Sequence, residues 1–445
     1  MAATDFHFVR QELAPVLPPP VATGGVTGWI RANLFSSLGN TVLTLLGILI
    51  LGSLVEPLIK FAFVDAVWTG ENREACLASH GACWPYIKDY FPQFIYGRFP
   101  IDERWRVDIV FAGFAIGLIP LLIPSAPLKR TNLFYMLLVF PLGAFILLTG
   151  GHISASGFLL PDAVMQAGLA RFWVDLVILF AVFAAIAYTI ASLSNSNPVP
   201  GLAAVGAAFV LVAAICFFAQ IDFGLMPVET SYWGGLLVTL VIAVSGIAAS
   251  LPLGIVFALG RRSNMPVVRL VSIIFIEFWR GVPLITVLFM SSVMLPLFLP
   301  EGTNFDKLLR ALIGVALFAS AYMAEVVRGG LQAIPKGQYE GAMALGLRYW
   351  PMMWLIIMPQ ALKLVIPGIV NTFIGMFKDT TLVLIIGLFD LLGQIQSSYT
   401  DPTWATPSQS HTGYLFAAAI YWVFCFSMSR YSIFMENKLH TGHRR

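Results

Sequence analysis

Charged side chains are rare in this sequence, and those that interrupt its apolar runs are the first candidates for chemistry. Glu277 and Arg280 stand three residues apart, so they share one face of a helix. They could neutralise each other at a membrane edge, or line a path in which a charged solute meets them. Glu325 and Arg328 repeat the spacing where another apolar run ends, and an ion pair explains them without a ligand.

A second polar group surrounds the end of the apolar run at Phe377. Lys378 and Asp379 end this run, and the apolar stretch after them, 381–388, is too short to cross a membrane and is expected to fold back near the external surface. Snorkelling and helix capping explain both charges, and contact with a passing solute is the alternative. Asn371 faces another helix or a pore, and hydrogen bonding to another helix is the favoured interpretation.

Cys76 and Cys83 lie seven residues apart in a polar segment. In an oxidising compartment they could form a small-loop disulfide, and two free thiols are an equal alternative. His80 between them has no further ligand at a zinc spacing, so we predict no metal site.

The composition restricts the class of protein. Of the 445 residues, 58% are hydrophobic and 11% are charged, and the mean hydropathy is +0.83. A water-soluble globular domain has about 25% charged residues, so a soluble protein is excluded. The apolar runs are continuous rather than alternating, which excludes a transmembrane β-barrel and predicts an all-α polytopic membrane protein. A net charge of +3 is too small to indicate nucleic acid as a partner.

Ten apolar runs are long enough to span a membrane, which needs about 20 residues in a helix. Pro283 predicts a kink or a restart within the seventh run, because proline removes a backbone donor. The runs lie near 41–61, 109–127, 133–149, 172–193, 202–218, 232–260, 271–297, 309–327, 361–377 and 413–428.

Lysine and arginine in the short loops orient these spans. With ten spans, the basic residues at 129–130, 261–262, 328–348 and 444–445 all fall on one side, which we predict to be cytoplasmic together with both termini. The loop near 69–106 is then external. It also carries basic residues, but it is long and contains acids, and long loops follow the rule weakly.

The chain is predicted to have two unequal halves. Residues 1–231 hold about five spans, with hardly any charge inside them, and the external loop. Residues 232–445 hold five spans whose junctions are rich in charged and turn residues. Charge retained at membrane depth is costly and marks a pathway or a partner contact, so we expect function in the second half.

Between the eighth and ninth spans, residues 334–347 predict a short cytoplasmic helix. Pro335 suits its first turn, and Gly346 suits a left-handed end. Gly341, Ala342 and Ala344 would permit close approach of another backbone. The segment is therefore expected to seat in a groove of a soluble partner.

This segment resembles the EAA loop of ABC importer permeases. The shared pattern is Glu340-Gly341-Ala342, three residues, Gly346, nine residues, Ile356, one residue, and then Met358-Pro359. Gly341 stands where the family has its first alanine, and Met358 stands where it has leucine. Both replacements are conservative.

Three flanking strings resemble the polar amino acid uptake branch of that family, at 275–284, 321–330 and 378–383. The long first half, with the external segment 71–100, is most like the extended subunits of general L-amino acid permeases. The resemblance therefore implies that the last five spans form a type I ABC importer permease core in a bacterial inner membrane.

The resemblance also implies the function and the partners. The chain would carry amino acids across the membrane and would bind no ATP or Mg²⁺ itself, since no Gly-x-x-x-x-Gly-Lys-Ser/Thr string is present. ATP would be hydrolysed by an ATP-binding cassette subunit, with a second permease subunit (a related chain or a copy of this one), a periplasmic amino-acid-binding protein and membrane lipid as further partners. The residues that would couple to the ATPase are Pro335, Gly337, Glu340, Gly341, Ala342, Gly346, Ile356 and Pro359. Those that would line the path are Glu277, Arg280, Asn371, Lys378 and Asp379.

Two other classes of function compete with this one. An ion- or proton-coupled secondary transporter would need ionisable residues near mid-membrane and often an internal repeat, and the first half offers almost none. A membrane-integral enzyme would need a catalytic constellation at one face, and we identify none.

Overall fold

The structure, a computed structural model, describes residues 25–151, 157, 159–160, 164–166, 168–193, 197–298 and 306–439. Every regular element in these residues is a helix, which confirms the predicted fold class. Both chain ends, including Arg444 and Arg445, lie outside the described residues.

By its internal packing the chain divides into two compact units, 1–84 and 85–445. In the first unit a disulfide joins Cys76 to Cys83. The rings of Trp68 and Trp84 stack with their centroids 5.7 Å apart. The described helices of this unit are α1 (Gly25–Asn33), α2 (Leu38–Ile59), a π-helical turn (Lys60–Val64) and α3 (Glu74–Leu77).

The second unit contains all the remaining helices. The first six are α4 (Trp84–Tyr96), which starts at the boundary, α5 (Arg104–Leu122), α6 (Lys129–Phe134), α7 (Phe140–Thr149), α8 (Leu169–Leu193) and α9 (Val199–Gln220). The next five are α10 (Gly235–Arg261), α11 (Pro266–Gly281), α12 (Leu284–Phe289), α13 (Lys307–Ala333) and α14 (Lys336–Ala344). The last five are α15 (Tyr349–Met352), α16 (Met358–Leu364), α17 (Ile366–Asp379), α18 (Leu391–Ser397) and α19 (Gln409–Leu439).

Nine helices in the described part of the chain are long and apolar enough to cross a membrane, and a bent pair makes a tenth candidate. Each of the ten overlaps a predicted apolar run, so the expected number of spans is confirmed. The nine are Leu38–Val64, Ile101–Leu122, Lys129–Thr149, Leu169–Thr189, Val199–Gln220, Gly235–Arg261, Lys307–Ala333, Ile366–Ile386 and Gln409–Leu439.

The bent pair is the seventh predicted span, and it breaks where Pro283 predicted. Helix α11 and the helical segment Leu284–Phe298 meet at an angle of 103°. Val282 and Pro283 between them have extended backbone, and Pro283 precedes the first residue of α12. Proline has no N–H to continue the ladder of the preceding helix, so the helix ends and a new one begins in another direction.

The structure corrects the ends of the ninth predicted span. Helix α17 begins at Ile366 rather than near Ala361. After Asp379 the chain continues as a 3₁₀-helix to Ile386, so the candidate span covers 21 residues, Ile366–Ile386. Lys378 and Asp379 thus lie inside this span, and the stretch after them prolongs the helix instead of folding back.

Two apolar clusters form the core of the second unit, and α10 and α13 run through both of them. One cluster contains Leu237, Ile242 and Leu288. The other contains Met323 and Ile357 and lies towards the ends of α10 and α13 that precede α11 and α14. Both clusters draw on segments that are far apart in sequence, and between them they join α10, α11, α12, α13 and α17.

Helix α4 is hydrogen-bonded to the segment that precedes α19. The Tyr86 hydroxyl bonds to that of Ser398, and Trp404 Nε1 donates to Asp89 Oδ2 at 2.8 Å. Tyr90 donates to Asp401. Burial raises the pKa of Tyr86 to about 12, so its hydroxyl stays protonated.

Two neighbouring glycines of α13 test how closely the helices pack. A Cβ on Gly330 would lie 2.6 Å from the Ala361 carbonyl oxygen, whereas a Cβ on Gly329 would meet nothing within 4 Å. Alanine is better than glycine inside a helix by about 1 kcal/mol. We therefore expect Gly329→Ala to keep or raise the thermal stability of the purified full-length protein, and Gly330→Ala to lower it. Tryptophan fluorescence during heating measures both variants, and equal midpoints would contradict this packing.

Candidate functional site

The segment between α13 and α15, Ile334–Leu347, is the candidate site, and we call it the α14 loop. Pro335 precedes the helix as its N-cap, one position before the predicted first turn. Gly346 has a φ of 72°, in the left-handed region, as its type predicted. The Leu347 N–H bonds to the Ala342 carbonyl and the Gly346 N–H to that of Met343, so the helix ends in a Schellman motif.

One face of α14 packs on the chain's own core. Ala342 is only 2% exposed and joins the cluster that contains Met353 and Ile357. The Tyr339 hydroxyl donates to the Leu331 carbonyl at 3.3 Å, and Arg262 Nη1 lies 3.4 Å from that hydroxyl. The start of α14 is thereby tied to the ends of α10 and α13.

The opposite face of α14 is open. Glu340 and Ala344 are exposed, and a Cβ added to Gly337 or Gly341 would meet nothing within 4 Å. Beside this face Met343 and Leu345 are apolar and 57% and 78% exposed. Of the three small residues predicted to admit another backbone, Gly341 and Ala344 are accessible, but Ala342 is not, because it fills the inner face.

The second part of the motif, around Ile356 and Pro359, lies on the packed side of α14. Ile356 is half-buried against the core, in a π-helical turn (Met353–Ile357), and Pro359 is exposed in the first turn of α16. Gln360 Nε2 donates to the Gln338 side chain at 3.1 Å and to the Ile356 carbonyl at 2.8 Å. The residues 356–360 therefore anchor α14, and Ile356 offers little surface to a partner.

Charged residues from three helices meet next to the α14 loop. We call them the ion-pair cluster: Arg261, Glu277, Arg280, Glu325 and Arg328. Glu325 accepts from Arg261 at 2.8 Å and from Arg328 at 2.6 and 2.9 Å, and Arg280 Nη1 lies 3.8 Å from its carboxylate. Glu277 bonds to Arg261 at 2.9 Å.

The partner of Glu277 differs from the prediction. The spacing of Glu277 and Arg280 allowed a pair within α11, but each forms its ion pair with another helix. Arg280 also lies over the Tyr322 ring, 5.8 Å from its centroid. The predicted pair of Glu325 and Arg328 does form, as part of this larger cluster.

The other path candidates lie on α17. Asn371 and Lys378 are exposed and stand seven residues apart, so they lie on one face of the helix, and Asp379 is half-buried. No hydrogen bond or ion pair joins the three to the ion-pair cluster among the described residues. The sequence favours a hydrogen bond from Asn371 to another helix, but within the described chain Asn371 forms no such bond.

Sequence reasoning missed two residues of the site. From the sequence Arg261 indicates only the orientation of the chain, yet it bonds to both acids of the cluster. The second is Tyr339, which ties α14 to its neighbours. A basic residue at the end of an apolar helix was a usable signal for Arg261, whereas nothing in the pattern marks Tyr339.

Two further observations describe the chemistry available. In the described part of the chain, no three His, Cys, Asp or Glu side chains come together as a metal-binding group. Burial raises the pKa of Tyr349, which follows the α14 loop, so this phenol remains neutral.

Residues 250–439 match the family described as the inner membrane component of binding-protein-dependent transport systems. The chain is 46% identical to the inner membrane amino-acid ABC transporter permease protein YhdY of Escherichia coli, over 93% of each chain. It is 43% identical to the glutamate/glutamine/aspartate/asparagine transport system permease protein BztC of Rhodobacter capsulatus, over 99% of this chain and all of the other. A solved amino acid ABC transporter with histidines is 31% identical over 46% of this chain and 92% of its own, with a TM-score of 0.41.

The ion-pair cluster predicts unequal effects of two identical substitutions. Glu325→Gln leaves three guanidinium groups facing one another where the carboxylate is 16% exposed. We expect a loss of about 2 kcal/mol, because breaking a partly buried ion pair leaves charges unpaired. Glu277→Gln is the matched control: its side chain is 56% exposed, and its loss is expected below about 1 kcal/mol. Heat denaturation of both purified variants checks the order, and a larger loss for Glu277→Gln would refute it.

Proposed function

This chain belongs to the amino-acid ABC transporter permease family, and from that premise we propose that it forms, with a second permease subunit, the translocation path of an ATP-driven importer. Its ATP and Mg²⁺ are bound by a separate ATP-binding subunit. A soluble binding protein delivers the amino acid on the external side. The importer lies in a bacterial inner membrane, with both termini of this chain in the cytoplasm.

The open face of the α14 loop carries this proposal. This face is a narrow surface that a groove can enclose. It consists of three glycines at which an added Cβ would meet nothing within 4 Å, two exposed apolar side chains and the Glu340 carboxylate. The other face of the helix is already packed. We infer that the ATP-binding subunit covers the open face, with Glu340, Gly341 and Gly346 at its centre and Gly337 at its edge.

The attachments of α14 define how a movement would be transmitted. Tyr339 connects the helix to the ends of α10 and α13, and Gln338 connects it to α16. From there the ion-pair cluster continues to α11. A displacement of α14 by the ATPase would therefore reach four helices of the core together, which is what a switch between two states of the path requires.

The path itself is proposed to run beside the exposed polar residues of the second half. Glu277 and Arg280 keep 56% and 37% of their side chains exposed despite their ion pairs. Asn371 and Lys378 present one polar face of α17, and Asp379 follows. A polar amino acid carries an ammonium and a carboxylate group. Charged and polar side chains along the path can bind these groups where the surroundings are otherwise apolar. The names of the two long relatives support amino acids as the cargo.

The organisation of the chain is proposed from the same relationships. Residues 232–445 form the permease core, since the family match covers 250–439. Residues 1–231 form an extension with the external loop near 69–106. Relatives of full length contain both parts, whereas a permease of Vibrio harveyi matches only half of this chain with 96% of its own length.

Reversing the charge of Glu340 tests docking. Glu340→Lys should abolish co-purification with the ATP-binding subunit and amino-acid uptake, because the substitution puts a cation at the centre of the contact. Membrane insertion should be unchanged, because the residue is exposed and its side chain forms no hydrogen bond or ion pair with the described residues. Glu71→Lys, an equal charge change on an exposed residue of the other loop, is the control. Undiminished ATPase association of Glu340→Lys would disprove the proposed contact.

Substitution of Gly346 is a second test, which distinguishes strain in the backbone from obstruction of the surface that a partner would contact. A side chain in the left-handed region costs about 1–2 kcal/mol, and asparagine tolerates it best. No atom would touch a Cβ there, so Gly346→Asn should keep much of the uptake. Gly346→Trp should insert normally but lose uptake and ATPase association, because the large side chain stands in the contact. Equal uptake by the two variants would count against a partner at this position.

A further inference from the structure

A cavity of about 470 Å³ opens between the end of α5 and the start of α6. These helices belong to the adjoining ends of two candidate spans, Ile101–Leu122 and Lys129–Thr149, so the cavity lies at a membrane surface. Its apolar walls come from Pro120, Ile123, Ala126, Pro127 and Leu128. A cavity of this kind at this depth is within reach of a lipid acyl chain.

Two of the three polar side chains in the wall, those of Asn132 and Tyr135, already donate hydrogen bonds to the chain. Asn132 Nδ2 donates to the Gly117 carbonyl at 2.5 Å, and the Tyr135 hydroxyl donates to the Gly113 carbonyl at 3.2 Å. These bonds hold α6 and the turn after it against α5. The remaining wall therefore suits hydrocarbon better than a polar solute, which would find few hydrogen-bond partners.

Two cations lie between lining residues of the cavity in the sequence. Lys129 and Arg130 are exposed, directly after Leu128 and before Thr131, both of which line it. They are the only charged residues between Asp108 and Asp162 in the sequence. Neither forms an ion pair with any described residue. Basic pockets between transmembrane helices favour anionic lipid head groups, by about 1 kcal/mol for each lysine or arginine.

We propose that this cavity is a binding site for an anionic phospholipid. One acyl chain lies against Pro120, Ile123 and Ala126, and the phosphate accepts hydrogen bonds from Lys129 and Arg130. Leu128, which is 76% exposed, lies beside the glycerol group of the lipid. The site belongs to the extension and is independent of docking at the α14 loop.

Lipid binding to the full-length protein, purified with whatever subunits accompany it, tests the site. Native mass spectrometry in detergent would compare phosphatidylglycerol with phosphatidylcholine of the same chains. The wild type should retain phosphatidylglycerol preferentially, and Lys129→Gln/Arg130→Gln should bind it about thirtyfold more weakly, from two lost charges. Arg73→Gln/Lys88→Gln, which removes two exposed cations elsewhere, should leave its affinity unchanged.

Two further measurements distinguish the lipid from other occupants. Ala126→Phe fills the cavity without changing any charge, and it should displace phosphatidylglycerol although both cations remain. Inorganic phosphate should not compete, because it has no acyl chain. Equal affinity of the wild type and Lys129→Gln/Arg130→Gln for phosphatidylglycerol, equal affinity for both lipids, or displacement by phosphate would each overturn the proposal.

Discussion

Glu325 lies in a partly buried position and accepts hydrogen bonds from arginines on two helices, while a third arginine stands 3.8 Å away. In surroundings of low polarity three guanidinium groups can stay close only while a carboxylate stays among them. The ends of α10, α11 and α13 must therefore meet at this point. Because α13 leads directly into the α14 loop, the position of that loop relative to the spans depends on the same carboxylate.

Features that depend on local chemistry could be predicted from the sequence. Run length and hydropathy gave the ten spans, Pro283 gave the break of the seventh, and Gly346 gave the end of α14, because each acts on its own neighbours along the chain. Features that depend on distant partners could not. The ion pair of Glu277 with Arg261 and the inward position of Ala342 arise from packing between helices, which spacing alone does not reveal. The 3₁₀ continuation after Asp379 also escaped, because the apolar stretch 381–388, counted apart from the helix before it, is too short to cross a membrane on its own.

The proposed extension and the proposed core are less separate in the structure than in the sequence. Helix α4 precedes all five spans of the core, yet Tyr86 and Asp89 bond to Ser398 and Trp404, just before the last of them. Gly97 and Gly234 approach so closely that a Cβ on Gly97 would lie 2.4 Å from the backbone of Gly234. Helix α4 therefore packs with the helices of the second half. A boundary at 231 reflects the length of related permeases and does not coincide with a boundary in the packing.

The two faces of the α14 loop meet opposite requirements, and each face uses only a few residues. Its inner face needs permanent contacts, which Ala342 and Tyr339 provide. Its outer face must remain uncovered in the isolated chain, at the cost of exposing apolar surface. The left-handed Gly346 separates these roles: before it Leu345 is 78% exposed, and after it Leu347 packs against the core. A residue that continued the helix would move Leu347 away from the core and break the anchor, so the proposed transmission of force depends on the turn as much as on the outer surface.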